Sequence, residues 1–283
     1  MLRIHAPPAP VVARPALRHL RCPVPPPSRS CFGTSADVAS SPSLCAAALR
    51  VAEGGDATLA LALLDSLERG TDTTAAALCE TCRAADGNEC ATEGPPLWLV
   101  CVASRNGVPG AVDLARTMVA LGADPNARGV QGVARDETAP LWWAAAAVEA
   151  GVVGATALAR DLINAGADVD AEGTYDFVRG PPIWWAAVAV RNGEADAGVE
   201  LAEALLDAGA DANRRGSYGP TAVNIAPLTL AAQAAPENAG CTHLCGTLLR
   251  GGARMEGPEM LSLLMYRVGS SVVAVKNILR GGN

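Results

Sequence analysis

Charged residues, aromatic residues and long apolar runs are all scarce in this chain, and each shortage excludes a class of protein. Only 18% of the 283 residues are charged while 50% are hydrophobic, a balance that excludes a mostly disordered chain. No run of 18 apolar residues occurs, so the sequence predicts a soluble protein without a membrane span. Aromatic residues make up only 4% of the chain, so the places where they cluster are informative.

Acidic residues are missing from the N-terminal segment and abundant after it. The first acidic residue is Asp37, and five arginines precede it, so all 29 acidic residues lie in the rest of the chain. The part of the chain after this segment therefore has a negative net charge, which repels the phosphate backbone of nucleic acids. We therefore expect no nucleic-acid partner.

Residues 1–40 are rich in proline and arginine, with Pro25-Pro26-Pro27 as the densest point. A helix cannot continue through such proline density, so the sequence predicts a disordered, extended leader. The alternative is an organelle transit peptide, because the segment is acid-free and carries serines; its prolines then favour a plastid over a mitochondrion. No apolar run is long enough for a secretory signal, so we expect a cytoplasmic or organellar protein whose cysteines are thiols rather than disulfides.

A repeat with a period of 42 to 45 residues occupies the chain after the leader. Its first anchor is the glycine at the second position of LGADPN, AGADVD, AGADAN and GGARME, at Gly122, Gly166, Gly209 and Gly252. Its second anchor is an apolar residue after proline, at Leu97, Leu141, Ile183 and Leu228. Leu44 and Gly70 fill the same two slots in a fifth unit upstream. The two anchors are 24 to 26 residues apart in all five units, so the units share one register.

Each unit is predicted to contain two helices. The proline suits the first turn of the first helix, because the N–H that it lacks would be unbonded there. The glycine suits a left-handed cap at the end of the second helix. Counted back from that glycine, positions −8 and −4 are apolar in four units: Leu114 and Met118, Leu158 and Leu162, Leu201 and Leu205, Leu244 and Leu248. A short helix pair cannot bury such a face alone, so the units are expected to stack.

The helix start P-L-x-x-A-A and the helix ending L-L-x-x-G-A-D-x-N resemble the ankyrin-repeat family. The resemblance covers about residues 41–283. It implies an all-α fold, an ankyrin-like α-solenoid of stacked helix pairs with long hairpin-type loops, made of five long repeats and a C-terminal cap over Glu259–Asn283. The units exceed the family's usual length of about 33 residues. Trp98, Trp142 and Trp184 stand where the family usually has histidine.

The sequence gives little support to catalysis. His243 is the only histidine in the repeats, and no nucleophile or phosphate-binding motif occurs. The aspartates of the G-A-D segments, Asp124, Asp168 and Asp211, recur once per unit and are therefore predicted to order loops. We expect no enzymatic activity, no cofactor and no catalytic residue.

A thiol or zinc module is the alternative function. Cys79, Cys82 and Cys90 form a C-x-x-C pair with one further cysteine in the long loop after Gly70. A structural zinc site needs four ligands, and this loop offers three. Three other cysteines are predicted to pack as small core residues, because Cys101 and Cys245 take slots that hold alanine in other units and Cys241 is one helical turn from Cys245.

Two groups of residues predict a surface for another protein. By the resemblance, Trp142 and Trp184 pack between units, whereas Trp143 and Trp185 face the concave groove. The two successive loops after G-A-D carry further aromatic residues and arginines: Tyr175, Phe177, Arg179, Arg214, Arg215 and Tyr218. Trp, Tyr and Arg dominate interface hot spots. We therefore expect a non-enzymatic scaffold that binds a partner protein through the concave groove and the extended loops, with core filling as the alternative role for these rings.

Overall fold

The computed structural model describes residues 43–65, 77–78, 80–83, 92–131, 136–175, 177–218, 224–234 and 239–254. Within these ranges, it leaves out the side chains of Asp65, Arg83, Asp136, Tyr218 and Ala234. The predicted leader over residues 1–40 and the predicted cap over residues 259–283 lie outside the described residues.

Helices make up most of the described chain, which confirms the helical class, and they come in pairs. The first helices of the pairs are α1 (Leu44–Ala52), α3 (Pro96–Arg105), α5 (Pro140–Glu149), α7 (Pro182–Asn192) and α9 (Pro227–Ala234). The second helices are α2 (Thr58–Asp65), α4 (Ala111–Ala120), α6 (Ala155–Asn164), α8 (Ala195–Asp207) and α10 (Ala239–Arg250).

The first helices begin where the sequence places them. Proline is the first residue of α3, α5, α7 and α9, as predicted for a residue that lacks an N–H. Paired alanines follow in α5, α7 and α9, and each first helix packs against the next first helix in chain order. Every residue of α5 is buried, because small side chains allow its neighbours to lie close on several sides.

The second helices present the predicted apolar face. Positions −8 and −4 are fully buried in α4, α6, α8 and α10. The second residue after each of these helices is a glycine with a φ of about 90°, and two backbone bonds close the last turn of the helix. In α4, for example, the Gly122 N–H donates to the Val119 carbonyl and the Ala123 N–H to the Met118 carbonyl, both at 3.0 Å. The same pair of bonds recurs at Gly166, Gly209 and Gly252, so the predicted left-handed caps are confirmed.

A buried polar chain fixes the register of three successive first helices. The Glu149 side chain at the end of α5 accepts a hydrogen bond from Asn192 of α7 at 2.8 Å and one from Arg105 of α3 at 3.4 Å. Because Glu149 is buried, these contacts satisfy a carboxylate that would otherwise be costly to desolvate.

Short antiparallel strands connect one helix pair to the next. They are β1 (Cys82–Arg83), β2 (Glu93–Gly94), β3 (Gly129–Gln131), β4 (Asp136–Thr138), β5 (Gly173–Tyr175), β6 (Val178–Gly180) and β7 (Ser217–Tyr218). One sheet has the order β1-β2-β3-β4 and a second has the order β5-β6-β7. The first three connections between helix pairs therefore each contain an antiparallel strand pair, and these hairpins stand at one end of the helix pairs.

Candidate functional site

All five tryptophans lie in the core. Trp142 and Trp184 are buried, which confirms their predicted packing role. The prediction that Trp143 and Trp185 face a groove is wrong, since they are 2% and 0% exposed. The rings form an edge-to-face series in which the centroids of Trp142 and Trp143 are 4.9 Å apart and those of Trp142 and Trp185 are 5.1 Å apart.

Hydrogen bonds anchor three of the inward-facing tryptophan rings. The indole N–H groups of Trp98 and Trp143 both donate to the Thr138 hydroxyl, at 3.0 and 2.7 Å. The indole N–H of Trp142 donates to the Gly180 carbonyl at 2.9 Å. These partners belong to β4 and β6, so the rings hold the hairpins against the first helices.

The hairpins contribute glycines that touch the tryptophan rings. A Cβ added at Gly173 would lie 2.6 Å from the Trp142 ring, and a Cβ at Gly129 or Gly216 would collide with Trp98 or Trp184. These three glycines each follow the helix-capping glycine of their unit by seven residues. Sequence reasoning missed them, although that constant spacing was a signal that could have found them.

The hairpin β5–β6 has two unlike faces. On its inner face Val178 is buried and Tyr175 is half-buried, with its ring 5.1 Å from that of Trp143. On its outer face Arg179 is paired with Thr174 across the two strands. The core therefore fixes the hairpin from within while its other face meets solvent.

Phe177 stands at the turn of this hairpin and is the most exposed aromatic side chain among the described residues. It is 70% exposed, and its φ is 66°. A bulky residue in the left-handed region is uncommon, and the conformation costs about 1–3 kcal/mol. An apolar ring placed in water by a strained backbone contributes little to folding, so it is a candidate contact residue.

A carboxylate at the start of this hairpin joins two of the predicted arginines. Arg179 donates to Oε2 of Glu172 through Nε at 3.2 Å and through Nη2 at 2.7 Å. Nη1 of Arg214 lies 3.6 Å from Oε1 of the same side chain and donates to the Asp170 carbonyl at 2.8 Å. Glu172 thus joins Arg179 to Arg214, while Phe177 stands at the turn of the same hairpin. We call these four residues, Glu172, Phe177, Arg179 and Arg214, the hairpin face.

Two further predicted contact residues, Arg215 and Tyr218, are not part of the hairpin face. Arg215 donates from Nη1 to the Asn224 carbonyl at 3.3 Å, within its own loop. The backbone of Tyr218 pairs with Val178 across β6 and β7, whereas the side chain of Tyr218 lies outside the described part.

The G-A-D aspartates order their loops, as predicted. Asp124 accepts a hydrogen bond from the Asn126 N–H at 2.9 Å, and Asp168 and Asp211 accept the equivalent bonds in their own units. The bond from the Asn213 N–H lowers the pKa of Asp211. Asn126 also reaches the next unit, where its side chain accepts from the Asp168 N–H at 2.7 Å and donates to the Gly166 carbonyl at 2.9 Å.

The cysteines differ in part from the prediction. Cys82 forms a disulfide with Cys45, so the expectation of thiols is wrong for these two residues. Cys79 and Cys90, the other two members of the predicted thiol or zinc site, lie outside the described residues. Since the sulfur of Cys82 is bonded to Cys45, it is not a thiolate that could bind zinc.

The remaining described cysteines are buried, which confirms their core role. Burial raises the pKa of the Cys101 thiol, and it raises the pKa of Cys241 to about 11 and that of Cys245 to about 12. Among the described residues, no group of three or more His, Cys, Asp or Glu side chains is arranged to hold a metal ion. None of the helices in the described ranges combines the length and the apolar character needed to cross a membrane.

Comparison with known proteins adds no assignment. No protein-family model matches the chain, and no curated protein matches it at a significant level.

Proposed function

We propose that the chain is a non-enzymatic protein-binding module built as an ankyrin-like α-solenoid, and that the hairpin face is its contact surface. The ankyrin-like arrangement is supported by the shared motifs and by the packing of first helices on first helices and second helices on second helices in chain order. The exposure of Phe177 is the observation that carries the binding role.

The groove is not part of this proposal. Trp143 and Trp185, which would have lined it, belong to the core, and the first helix α5 is buried along its whole length. The partner is therefore bound by the loops, because binding residues concentrate on loops that a rigid scaffold positions. The hairpin face suits this task because its inner side is locked by tryptophans, so little ordering is needed on binding.

The chemistry of the hairpin face fits a partner with an apolar pocket. Aromatic side chains supply large contact area at a hot spot, and a ring that projects from a turn can enter such a pocket. On the same hairpin face, the side chain of Arg179 is 64% exposed and that of Arg214 is 39% exposed. Exposed ion pairs contribute about 0–1 kcal/mol to folding, so both arginines can exchange Glu172 for a carboxylate of the partner at little cost.

Photo-crosslinking in the cells that express the chain tests the proposal. The photoreactive residue p-benzoyl-phenylalanine replaces Phe177 in the full-length protein, and in a matched control it replaces Val153. Val153 is 92% exposed and lies between α5 and α6, at the opposite end of the helix pair. We expect a discrete crosslinked protein at position 177 and none at position 153.

A purified partner gives the second half of the test. The protein crosslinked at position 177 is identified by mass spectrometry, produced separately and titrated against the wild-type chain and Phe177→Ala. We expect the substitution to weaken binding by about 2 kcal/mol or more. Equal affinity of the two proteins, or crosslinking at position 153 alone, would contradict the proposal.

A further inference from the structure

The first unit differs from the next three in the contact between its first helix and its hairpin. In the second, third and fourth units, the residue after the apolar anchor is a tryptophan whose ring lies on a hairpin glycine: Trp98 on Gly129, Trp142 on Gly173 and Trp184 on Gly216. These contacts hold each hairpin against the first helix of its own unit. They are noncovalent and do not depend on redox conditions.

Strand register identifies the equivalent positions in the first unit. Gly129 pairs with Thr138, Gly173 with Gly180 and Gly216 with Ile225. Each partner residue lies three positions before the apolar anchor of the next unit. The residue that pairs with Gly94, which lies three positions before Leu97, is Cys82.

In the first unit, the residue directly after the apolar anchor is also a cysteine. Cys45 follows the anchor Leu44, as Trp98 follows Leu97. Cys45 and Cys82 are both buried and are joined as a disulfide. A covalent bond therefore occupies the place where the next three units have a tryptophan packed on a glycine.

We propose that the Cys45–Cys82 disulfide is a redox-controlled latch that docks strand β1 on the first helix, and that its reduction releases this strand alone. Strand β1 is two residues long and pairs on one side with β2. Two thiol side chains bury far less apolar area than an indole ring, so the reduced first unit lacks the contact that holds the other hairpins. This inference does not depend on the proposed binding function.

The chemistry of release requires a dithiol reductant. One thiolate of the reductant attacks a sulfur of the Cys45–Cys82 bond, which breaks the bond and forms a mixed disulfide. The second thiolate of the reductant then displaces the protein sulfur. Two electrons and two protons pass to the protein, which gains two thiols, and the reductant leaves as its disulfide.

Release of β1 also changes the sheet. In the order β1-β2-β3-β4, strand β1 covers one edge of β2. Once β1 leaves, the backbone of Glu93–Gly94 becomes an open edge, which is a surface that can pair with another chain. The latch therefore controls an edge of the first sheet and leaves the hairpin face unchanged.

Hydrogen exchange on the full-length protein tests the latch. Peptide mapping without reductant first establishes that Cys45 and Cys82 are linked. Exchange is then measured by mass spectrometry before and after treatment with dithiothreitol. We expect the amides of residues 80–83 and 92–94 to exchange about 10-fold faster or more after reduction, while those of residues 129–131 and 173–180 keep their rates.

Two double variants distinguish the effect of the disulfide bond from the effect of side-chain packing at the same two positions. Cys45→Ser with Cys82→Ser keeps the side-chain size but cannot form the bond, so it should exchange like the reduced wild type in either condition. Cys45→Trp with Cys82→Gly restores the pair used by the other units, so its first hairpin should stay protected with or without dithiothreitol.

Several results would overturn the latch. They are an unlinked Cys45 and Cys82 in the oxidised protein, unchanged exchange after reduction, or an equal rise in all three hairpins. If the Trp and Gly variant does not fold, the comparison of oxidised wild type with the double serine variant decides the question, because the proposal requires a difference confined to the first hairpin.

Discussion

Aromatic residues have opposite surroundings on the two sides of the hairpin β5–β6. On the inner side Trp143 is buried and shares a hydroxyl partner with Trp98, and Tyr175 packs on its ring. Away from the core, Phe177 projects into solvent from a strained turn, and two arginines share one carboxylate. Composition alone does not distinguish these aromatic residues; their position on the hairpin does. Inner rings fix the hairpin, and the outer ring is left for contact.

The largest effect is expected from removing an inner ring. Trp142 contacts Trp143 and Trp185 and donates to the Gly180 carbonyl. Trp142→Ala should therefore lower the free energy of unfolding by about 3–5 kcal/mol, as large cavities in a core do. Denaturant unfolding followed by circular dichroism measures this. A loss below 1 kcal/mol would mean that the ring does not hold the units together.

The second-largest loss of stability is expected from truncating a buried leucine in a second helix. Leu205 lies at position −4 of α8 and is fully buried, so Leu205→Ala should cost about 2–5 kcal/mol by the same denaturant measurement. Its neighbour Leu206 lies at position −3 and is only half-buried. Leu206→Ala is therefore the matched control and should cost clearly less; equal losses would show that the register of the helix face is mistaken.

A methyl group added between a hairpin and a ring should have a smaller effect. Gly173→Ala places a Cβ against the Trp142 ring, and overpacking of this kind costs about 1–3 kcal/mol. Gly246→Ala in α10 is the control, because its Cβ would meet only the end of the Arg250 side chain, at 3.5 Å. The control should keep or gain stability in a thermal melt. A neutral Gly173→Ala would contradict the close contact of hairpin and ring.

The smallest effect on stability is expected at the outer ring. Phe177→Gly relieves left-handed strain of about 1–3 kcal/mol but adds freedom to the unfolded chain that costs about 0.5–1 kcal/mol, so the two terms partly cancel. The melting temperature should therefore remain within a few degrees of the parental value. A fall like that of Trp142→Ala would show that Phe177 is part of the core.

The repeat register was predictable from the sequence, whereas the direction of the rings was not. Proline starts, glycine caps and the −8 and −4 positions are local signals, and each appears where it was predicted. Whether Trp143 faces a groove depends on Thr138, a partner in a strand whose position only the fold supplies. The link between Cys45 and Cys82 was missed for a similar reason, since the two cysteines are 37 residues apart and meet only through strand pairing.

Titration of the purified partner against Phe177→Gly tests the division between the inner and outer rings most directly. Isothermal calorimetry and a thermal melt are run on the same protein sample. We predict a Kd raised by a factor of about 30 or more, which corresponds to about 2 kcal/mol, with a melting temperature close to parental. An unchanged Kd, or a loss of binding that comes with a loss of folding, would contradict the assignment of Phe177 to the contact surface.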